Sequence, residues 1–471
     1  IYGDRTDTLS TAVATGTGTG GTLSKYKDLR TEVITAAGLC KMACCNLAES
    51  FENSASVTVG YSDAVTGARQ IKLLGLSGAY TQMLDENRPV MRGLAAPFGL
   101  SYVPGQWLSS IQIAKGAPSV INGVESITGQ INMEHRKPTD EKPLFVQGSV
   151  MDDSKADLNV ASAWQFGPKG STIVLAHADA NFKQMDHNRD GFLDDPMARQ
   201  VSLSNRWLYF DPSGAQVRFG LRAILDRREG GQTDPSGWRS DILNKNLGAY
   251  VKVGVPLNEA NTSNVAAVAD YTFQSMASTF GPVRSYDASQ HSGFVNLLYQ
   301  NQDFESHHFT LGLSDTFDRY GELFCDAPST TVLNDFGAFG EYTFRKEDVL
   351  TAIFGLRADL FGTHLRVSPR LTVKYTPWDW LVLRANGGRG LRYSTPLVDN
   401  FGALSTGKTF AGAYAEHPLE DSWTFGGNAT FQWGKTSLSL DYFHTSFTEQ
   451  LIVSNGAEKI HFGTLSSMEG Q

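Results

Sequence analysis

From Leu144 onward the chain repeats one pattern: segments of about 9 to 13 residues with alternating apolar and polar side chains, separated by turn-forming spacers. Successive β side chains point to opposite faces, so each segment carries one greasy and one charged surface. Asp157 to Phe166 sets Leu158, Val160, Trp164 and Phe166 against Asp157, Asn159 and Gln165. Val217 to Asp226 sets Val217, Phe219, Leu221, Ala223 and Leu225 against Arg218, Arg222 and Asp226. Ala352 to Leu360 sets Ala352, Phe354, Leu356, Ala358 and Leu360 against Arg357 and Asp359. A β-sandwich would alternate in the same way, because it buries one face of each strand. The spacers separate the two. Tight turns are expected at Gly167-Pro168-Lys169-Gly170, Asp211-Pro212-Ser213-Gly214, Arg345 to Asp348, Pro377 to Asp379 and Gly434-Lys435. Long polar loops are expected between them, at 181–198, 227–245, 319–334 and 393–419. Short turns alternating with long loops are the pattern of an outer-membrane β-barrel. About fifteen strands fit by residue 448, against about 22 in the largest plugged barrels. The expected fold class is therefore mainly β: a large antiparallel transmembrane barrel with its C-terminal strands missing, preceded by an α/β domain. The boundary is placed at residue 138, giving 1–138 and 139–471.

The composition agrees. The 471 residues include 47 glycines, with 11% aromatic and 19% charged residues, a glycine-rich and charge-poor balance that a β membrane protein tolerates. No apolar run approaches the roughly 20 residues of a membrane-spanning helix. A net charge of −9, from 40 basic and 49 acidic residues, argues against nucleic acid as a partner. Ile1-Tyr2-Gly3-Asp4 has neither the basic start nor the apolar core of a signal peptide. Either a leader was removed or the chain is a fragment. Before residue 138 the chain is mixed, with a Gly/Thr-rich start, a helical-looking stretch from Thr35 to Phe51 and a β-rich piece from Val57 to Tyr61.

Ser109 to Lys137 reads SSIQIAKGAPSVINGVESITGQINMEHRK. It resembles the plug domain of TonB-dependent outer-membrane receptors, whose pattern runs Ile-x-Val-x-Lys-Gly-Pro, Ser, Tyr-Gly, Gly-Gly-x-Ile-Asn. Ile111, Ile113, Lys115, Gly116, Ser119, Gly123, Gly129, Ile131 and Asn132 match. Ala117 replaces the proline, Asn122 the tyrosine and Gln130 the second glycine. Ile71 to Leu76 and Tyr80 to Leu84 are similar to two further plug segments, with Leu74 in place of arginine and Glu86-Asn87 where Asp-Gly is usual. Arg384 to Pro396 and Leu419 to Trp423 resemble barrel segments of the same family.

The resemblance, of a Bacteroidetes-like kind, implies active uptake across the bacterial outer membrane, energised by TonB with its inner-membrane complex, and possible service to a surface lipoprotein partner. Asp7, Thr8, Leu9, Ser10, Thr11 and Ala12 look like the TonB box, which pairs with TonB as an extended strand. A threonine-rich leader is the alternative there. The ligand implied by family habit is a metal chelate: a siderophore, haem, cobalamin or copper complex. Plug loops in this family rise toward the substrate, which makes Tyr80 and, within Met91 to Trp107, Arg92, Phe98, Tyr102 and Trp107 the substrate-binding candidates. Aromatic and small residues with one charge suit a planar or hydrophobic chelate, and turn packing is the competing reading.

Two other clusters carry possible chemistry. Asp186, Asn188 and Asp190 occupy positions 1, 3 and 5 of a calcium-type loop, with Gly191 at 6, the Phe192 carbonyl at 7 and Asp194 at 9. Position 12 is Met197 where a bidentate acid belongs, so Ca2+ competes with a solvated acidic turn. Cys40 and Cys44 fall one helical turn apart, with Cys45 adjacent and Met42 between. Soft sulfur ligands could hold Cu(I), an oxidising periplasm would allow a disulfide, and simple packing is the third option. No nucleophile, base and acid triplet is present, and no glycine-rich phosphate loop precedes a helix, so an enzyme is not expected. A passive porin would need no N-terminal domain, and a soluble β-rich enzyme would bury its greasy strand faces.

Overall fold

The computed structural model describes residues 21–23, 31–36, 38–39, 46–52, 54, 56–139, 143–151, 155–434 and 436–465. The segment at 7–12 and Cys40, Cys44 and Cys45 lie outside the described residues. Of the helical stretch expected over 35–51, the described part includes a 3-10 turn at Glu49–Phe51.

The protein is mainly β, as expected. Fifteen strands, from Phe145–Val150 to Thr436–Glu449, form one antiparallel sheet in sequence order. Its two edge strands each pair with one neighbour among the described residues. Alternation decides which face is which. Leu203, Leu221, Leu247 and Leu297 are 48–54% exposed, whereas Ser202, Asn246 and Asn296 beside them in sequence are 0–2% exposed. Arg357 and Asp359, opposed to the apolar set of their strand, are buried. The sheet is thus apolar outside and polar inside, which only hydrocarbon on the outer side makes stable.

The hairpin ends alternate strictly between two rims. One rim carries 167–169, 211–215, 257–262, 305–306, 347–349, 379–380 and Gly434; the other carries 182–196, 232–238, 281–283, 325–326, 362–363 and 394–418. Two expected long loops are corrected. At 227–245 and 319–334 the strands Gln216–Gly231, Arg239–Pro256, His307–Phe324 and Ala327–Lys346 run on, joined by 232–238 and by Cys325-Asp326 alone. Ladder bonds such as Arg227 to Leu243 and Gly231 to Arg239 continue there. Polar side chains on both faces end the hydropathy signal before they end the strand.

The N-terminal part has its own sheet, ordered Gly21–Leu23, Thr31–Thr35, Leu108–Lys115, Gly129–His135, Thr81–Asp85 and Arg88–Pro89. Ile111, Ile113, Ile131 and Met133 are no more than 1% exposed and pack with Leu47, Phe51, Leu73 and Leu108. This unit touches the polar inner face of the large sheet along most of its circumference. Trp107 packs on Ile173 and Leu175, Val120 on Ala266, Leu298 and Phe339, and Val124 on Phe361 and Leu391. It fills the lumen as a plug.

Candidate functional site

The Lys115-Gly116-Ala117-Pro118 turn and the strand Leu381–Tyr393, far apart in sequence, meet in space. Gly116 has φ +82°, and a Cβ there would lie 2.3 Å from the Asn386 Oδ1. Only glycine satisfies both the backbone and the approach. On the strand, a Cβ at Gly390 would stand 2.8 Å from the Ile127 Cγ1, so the missing side chain is what lets the plug come that close. The loop between is fastened by the barrel wall. Arg370 donates to the Ser119 and Val124 carbonyls, Asn296 to the Ile121 carbonyl at 3.0 Å, and the Ser119 hydroxyl donates to Glu341 at 2.7 Å.

A second fastening lies at the turn Glu86-Asn87, where both residues have positive φ (48° and 64°). The turn projects Glu86 into the wall, where Arg206 bonds its carboxylate and the Lys252 ammonium donates to its backbone carbonyl. Arg88 next to it bridges Asp85 of the plug at 2.7 Å and Asp270 of the barrel at 2.5 Å. Burial opposes the Glu86 charge, but Arg206 and Lys252 outweigh it and hold the carboxyl well below the ordinary range. Neither Arg206 nor Lys252 was singled out by the sequence.

Above these fastenings, toward the rim bearing 394–418, a cavity of about 120 Å³ opens between plug and barrel. Its lining includes Gln70, Ser77, Gln82, Arg92, Arg392 and Thr395. Arg92 is gripped by Glu125, at 2.6 and 2.8 Å, and by Asp318 at 3.1 Å. Burial disfavours its charge, and the two carboxylates overcome that, holding the guanidinium firmly protonated. Arg392 is held likewise by Asp399 at 2.6 Å and Glu420 at 3.2 Å. Two arginines, each between two acids, leave a polar cavity whose charges are already paired.

The candidate residues scatter around this cavity. Arg92 lines it. Tyr80 stands behind Arg392, its hydroxyl donating to Glu420 at 3.1 Å and accepting from Gln450 at 3.1 Å. Burial and the Glu420 charge push that hydroxyl above the ordinary phenol range. Phe98, Tyr102 and Trp107 are absent from the lining and are only 1, 4 and 3% exposed. Phe98 packs beneath Phe401, while Tyr102 and Trp107 line smaller cavities deeper along the plug. Short 3-10 turns at Gly93–Ala95, Gly99–Ser101 and Gly105–Trp107 fold the segment down on the wall, and an apolar cover closes over it. Phe401 meets Phe98 edge-on at 5.4 Å, with Leu397, Val398, Leu404, Ile460 and Phe462 around it. Arg284 holds the cover by donating to four carbonyls, those of Ala403, Leu404, Thr406 and Lys408.

At the acidic loop the carboxylates serve the loop itself. Asp186 accepts the amides of Asp190 and Gly191, Asp190 accepts that of Phe192, and Asp194 accepts the His187 amide and ring at 2.8 and 2.7 Å. These bonds hold the Asp194 carboxyl below its usual value. Asp186 Oδ1 and Asn188 Oδ1 both accept the Asp190 amide, while no three acidic, histidine or cysteine side chains gather to hold a metal among the described residues.

Two family models match the chain: the TonB-dependent receptor plug domain over residues 28–130 and the TonB-dependent receptor-like β-barrel over 153–459. The chain belongs to the TonB-dependent receptors. No curated protein sequence matches it significantly. Solved structures with the same fold include the ferric enterobactin receptor PfeA of Pseudomonas aeruginosa, at a TM-score of 0.70 and 13% identity, covering 92% of this chain and 75% of that one. The siderophore receptor PirA of Pseudomonas aeruginosa gives 0.68 and 14%, covering 92% and 78%. The copper transporter OprC gives 0.72 and 12%, covering 92% and 75%. The family is one of outer-membrane transporters that interact with TonB, and this receptor shares its plug-in-barrel architecture.

Proposed function

We propose that this receptor sits in the bacterial outer membrane and takes up a scarce metal chelate, a siderophore, haem, cobalamin or copper complex, using energy delivered through TonB. The observation that carries the reading is the plug docked into the lumen by Glu86, Arg88, Arg206 and Lys252. A passive porin needs an open path; a lumen filled by a charge-anchored domain needs work done on it before solute can pass. The similar structures are named for siderophores and copper, which supports a metal complex as cargo. Residues 1–138 act as the energy-responsive part, with the TonB box at 7–12, and 139–471 as the wall.

The apical cavity is the entry site in this reading. Its roughly 120 Å³ is below the ~300–1,000 Å³ of typical ligand sites, so the cargo binds by displacing the Phe401 cover. Arg92 and Arg392 then face the oxygen atoms of the chelate. Ca2+ is left out, because Asp186, Asp190 and Asp194 are turned to the loop's own donors; calorimetric binding lost in an Asp186→Ala, Asp190→Ala double variant would bring it back. The uptake reading is tested by growth of a deletion strain on single iron, copper or cobalamin sources, complemented with and without TonB. Restored growth on one source, lost without TonB, supports it. Growth indifferent to TonB would overturn it.

A further inference from the structure

The apical cavity does not end at Arg92. A second cavity of about 50 Å³ shares Val90, Met91 and Arg92 with it, and a third of about 30 Å³ shares Val90, Met91, Tyr102, Val103, Arg222 and Asp270 with the second. The second and third follow the plug segment that starts at Pro89 down the wall formed by Gln216–Gly231, Arg239–Pro256 and Ser263–Phe280. Strand register gives the depth. From the apical rim inward the paired positions are Asp226 and Asn244, then Asn246 and Gln274, then Arg222 and Gly248, then Tyr250 and Asp270, then Arg218 and Lys252. Arg222 therefore stands midway, above the Glu86 fastening.

Every other arginine lining these cavities has an acid: Arg69 has Glu49, Arg88 has Asp85 and Asp270, Arg92 has Glu125 and Asp318, Arg206 has Glu86, and Arg392 has Asp399 and Glu420. Arg222 has no ion pair or hydrogen bond among the described residues, and its Nε is sealed from solvent without a partner. Asp270 lines the same space, but its carboxylate is engaged by Arg88 and by the Thr272 hydroxyl. Gly248 opposite leaves the guanidinium room, since a Cβ there would come within 3.3 Å of Nη2. Two further donors face the cavity unused. The Tyr102 hydroxyl and the Gln274 Nε2 have no hydrogen-bond partner of good geometry, each on a side chain at least nine-tenths buried. A half-buried cation without an acid and two buried donors left unsatisfied are costly unless something fills the space. The ~50 Å³ volume is several times the ~10–15 Å³ that one ordered water needs on this measure.

We propose that Arg222, Tyr102 and Gln274 form a luminal subsite for an oxyanion, the carboxylate or phosphate group of a solute passing from the apical cavity along the plug. Its part in transport rests on the uptake reading above; its affinity for an oxyanion does not. Guanidinium, phenol and amide bring three donors to a space that the Asn246 Oδ1 and the already engaged Asp270 carboxylate also line, so an oxyanion seats on the Arg222 side of it. An anionic cargo would thus be held halfway, with Arg88, Arg206 and Lys252 ahead of it once the Glu86 fastening is released.

The test uses the whole receptor and selenate as the probe. Crystals of the wild-type protein soaked over a concentration series should show an anomalous peak between the Arg222 guanidinium, the Tyr102 hydroxyl and the Gln274 amide. Sulfate in excess should displace it. Arg222→Gln should weaken apparent binding by about tenfold or more, as loss of a charge-assisted bond implies, with Tyr102→Phe losing less and Arg222→Lys retaining part. Melting of each variant alongside the wild type shows that the fold is kept. No peak in the wild type, or an equal peak in Arg222→Gln, which would mark an adventitious ion only, overturns the subsite. The soak reads binding and not transport, so a receptor indifferent to TonB would remove the uptake reading and leave this result standing.

Discussion

Plug and barrel are built from the same side-chain alphabet and solve opposite problems. In the plug, Ile111, Ile131 and Met133 are sealed inside and the charged residues lie at its surface; in the barrel, Leu203, Leu221 and Leu247 are half exposed while Asp226, Arg357 and Asp359 are sealed. Each plug strand hides its apolar atoms from water, and each barrel strand hides its polar atoms from hydrocarbon. The contact between them is mixed: ion pairs and carbonyl-capping arginines alternate with apolar clusters such as Leu94 and Phe98 against Ile224, Met276 and Phe280.

Removing the principal anchor tests that contrast most severely. Glu86→Ala leaves Arg206 and Lys252 buried without their anion and should weaken plug docking by about 3–5 kcal/mol. Denaturant titration of the plug within the folded barrel reads it; a change under about 1 kcal/mol would mean that packing, not charge, holds the plug. The pH dependence has a definite sign. Because the folded Glu86 carboxyl is held below its ordinary value, its contribution is complete above about pH 4.5 and is lost only as pH falls through the lower folded value. Docking should therefore survive mild acid, and loss between pH 7 and 5 would contradict the pairing.

Within the plug, Ile131→Ala should cost about 2–5 kcal/mol by opening a cavity in a filled core. On the barrel exterior, Leu247→Arg should cost about 2–4 kcal/mol in a bilayer. Folding titrations into lipid vesicles measure the second, and a negligible cost would place that face away from hydrocarbon. At the seam, Gly390→Ala should cost about 1–3 kcal/mol, because its methyl would collide with Ile127. Thermal melts of the single variant and of its pairing with Ile127→Ala separate a collision from a general loss: the pair should recover most of the deficit.

Much of this was legible beforehand. Strand identity and facing followed from alternation, and the fifteen strands ending near 448 reappear in the sheet that ends at Glu449. The rims were legible in parity and less so in length, since at 319–334 the ladder continues where both faces are polar and only the Cys325-Asp326 turn, with φ of 46° and 71°, breaks it. The site was harder. Met91 to Trp107 stood out by composition, but composition does not tell an aromatic that greets a ligand from one that lies beneath Phe401. Glu86-Asn87 was visible as a departure from the family's turn, yet its partners Arg206 and Lys252 are 120 and 166 residues away.

What the sequence determined by itself is local or periodic: which residues extend, which face each side chain takes, and which glycines must turn. Those properties follow from sterics and from a period of two, and need no distant partner. The tertiary structure alone decided which luminal charges are paired and which cavities join. Pairing depends on strand register, and register places Arg222 opposite Gly248 and beside Asp270 rather than beside an acid of its own. A one-residue slip would exchange every inner side chain for an outer one, so the charge map of the lumen exists only once the strands have paired in register around the plug.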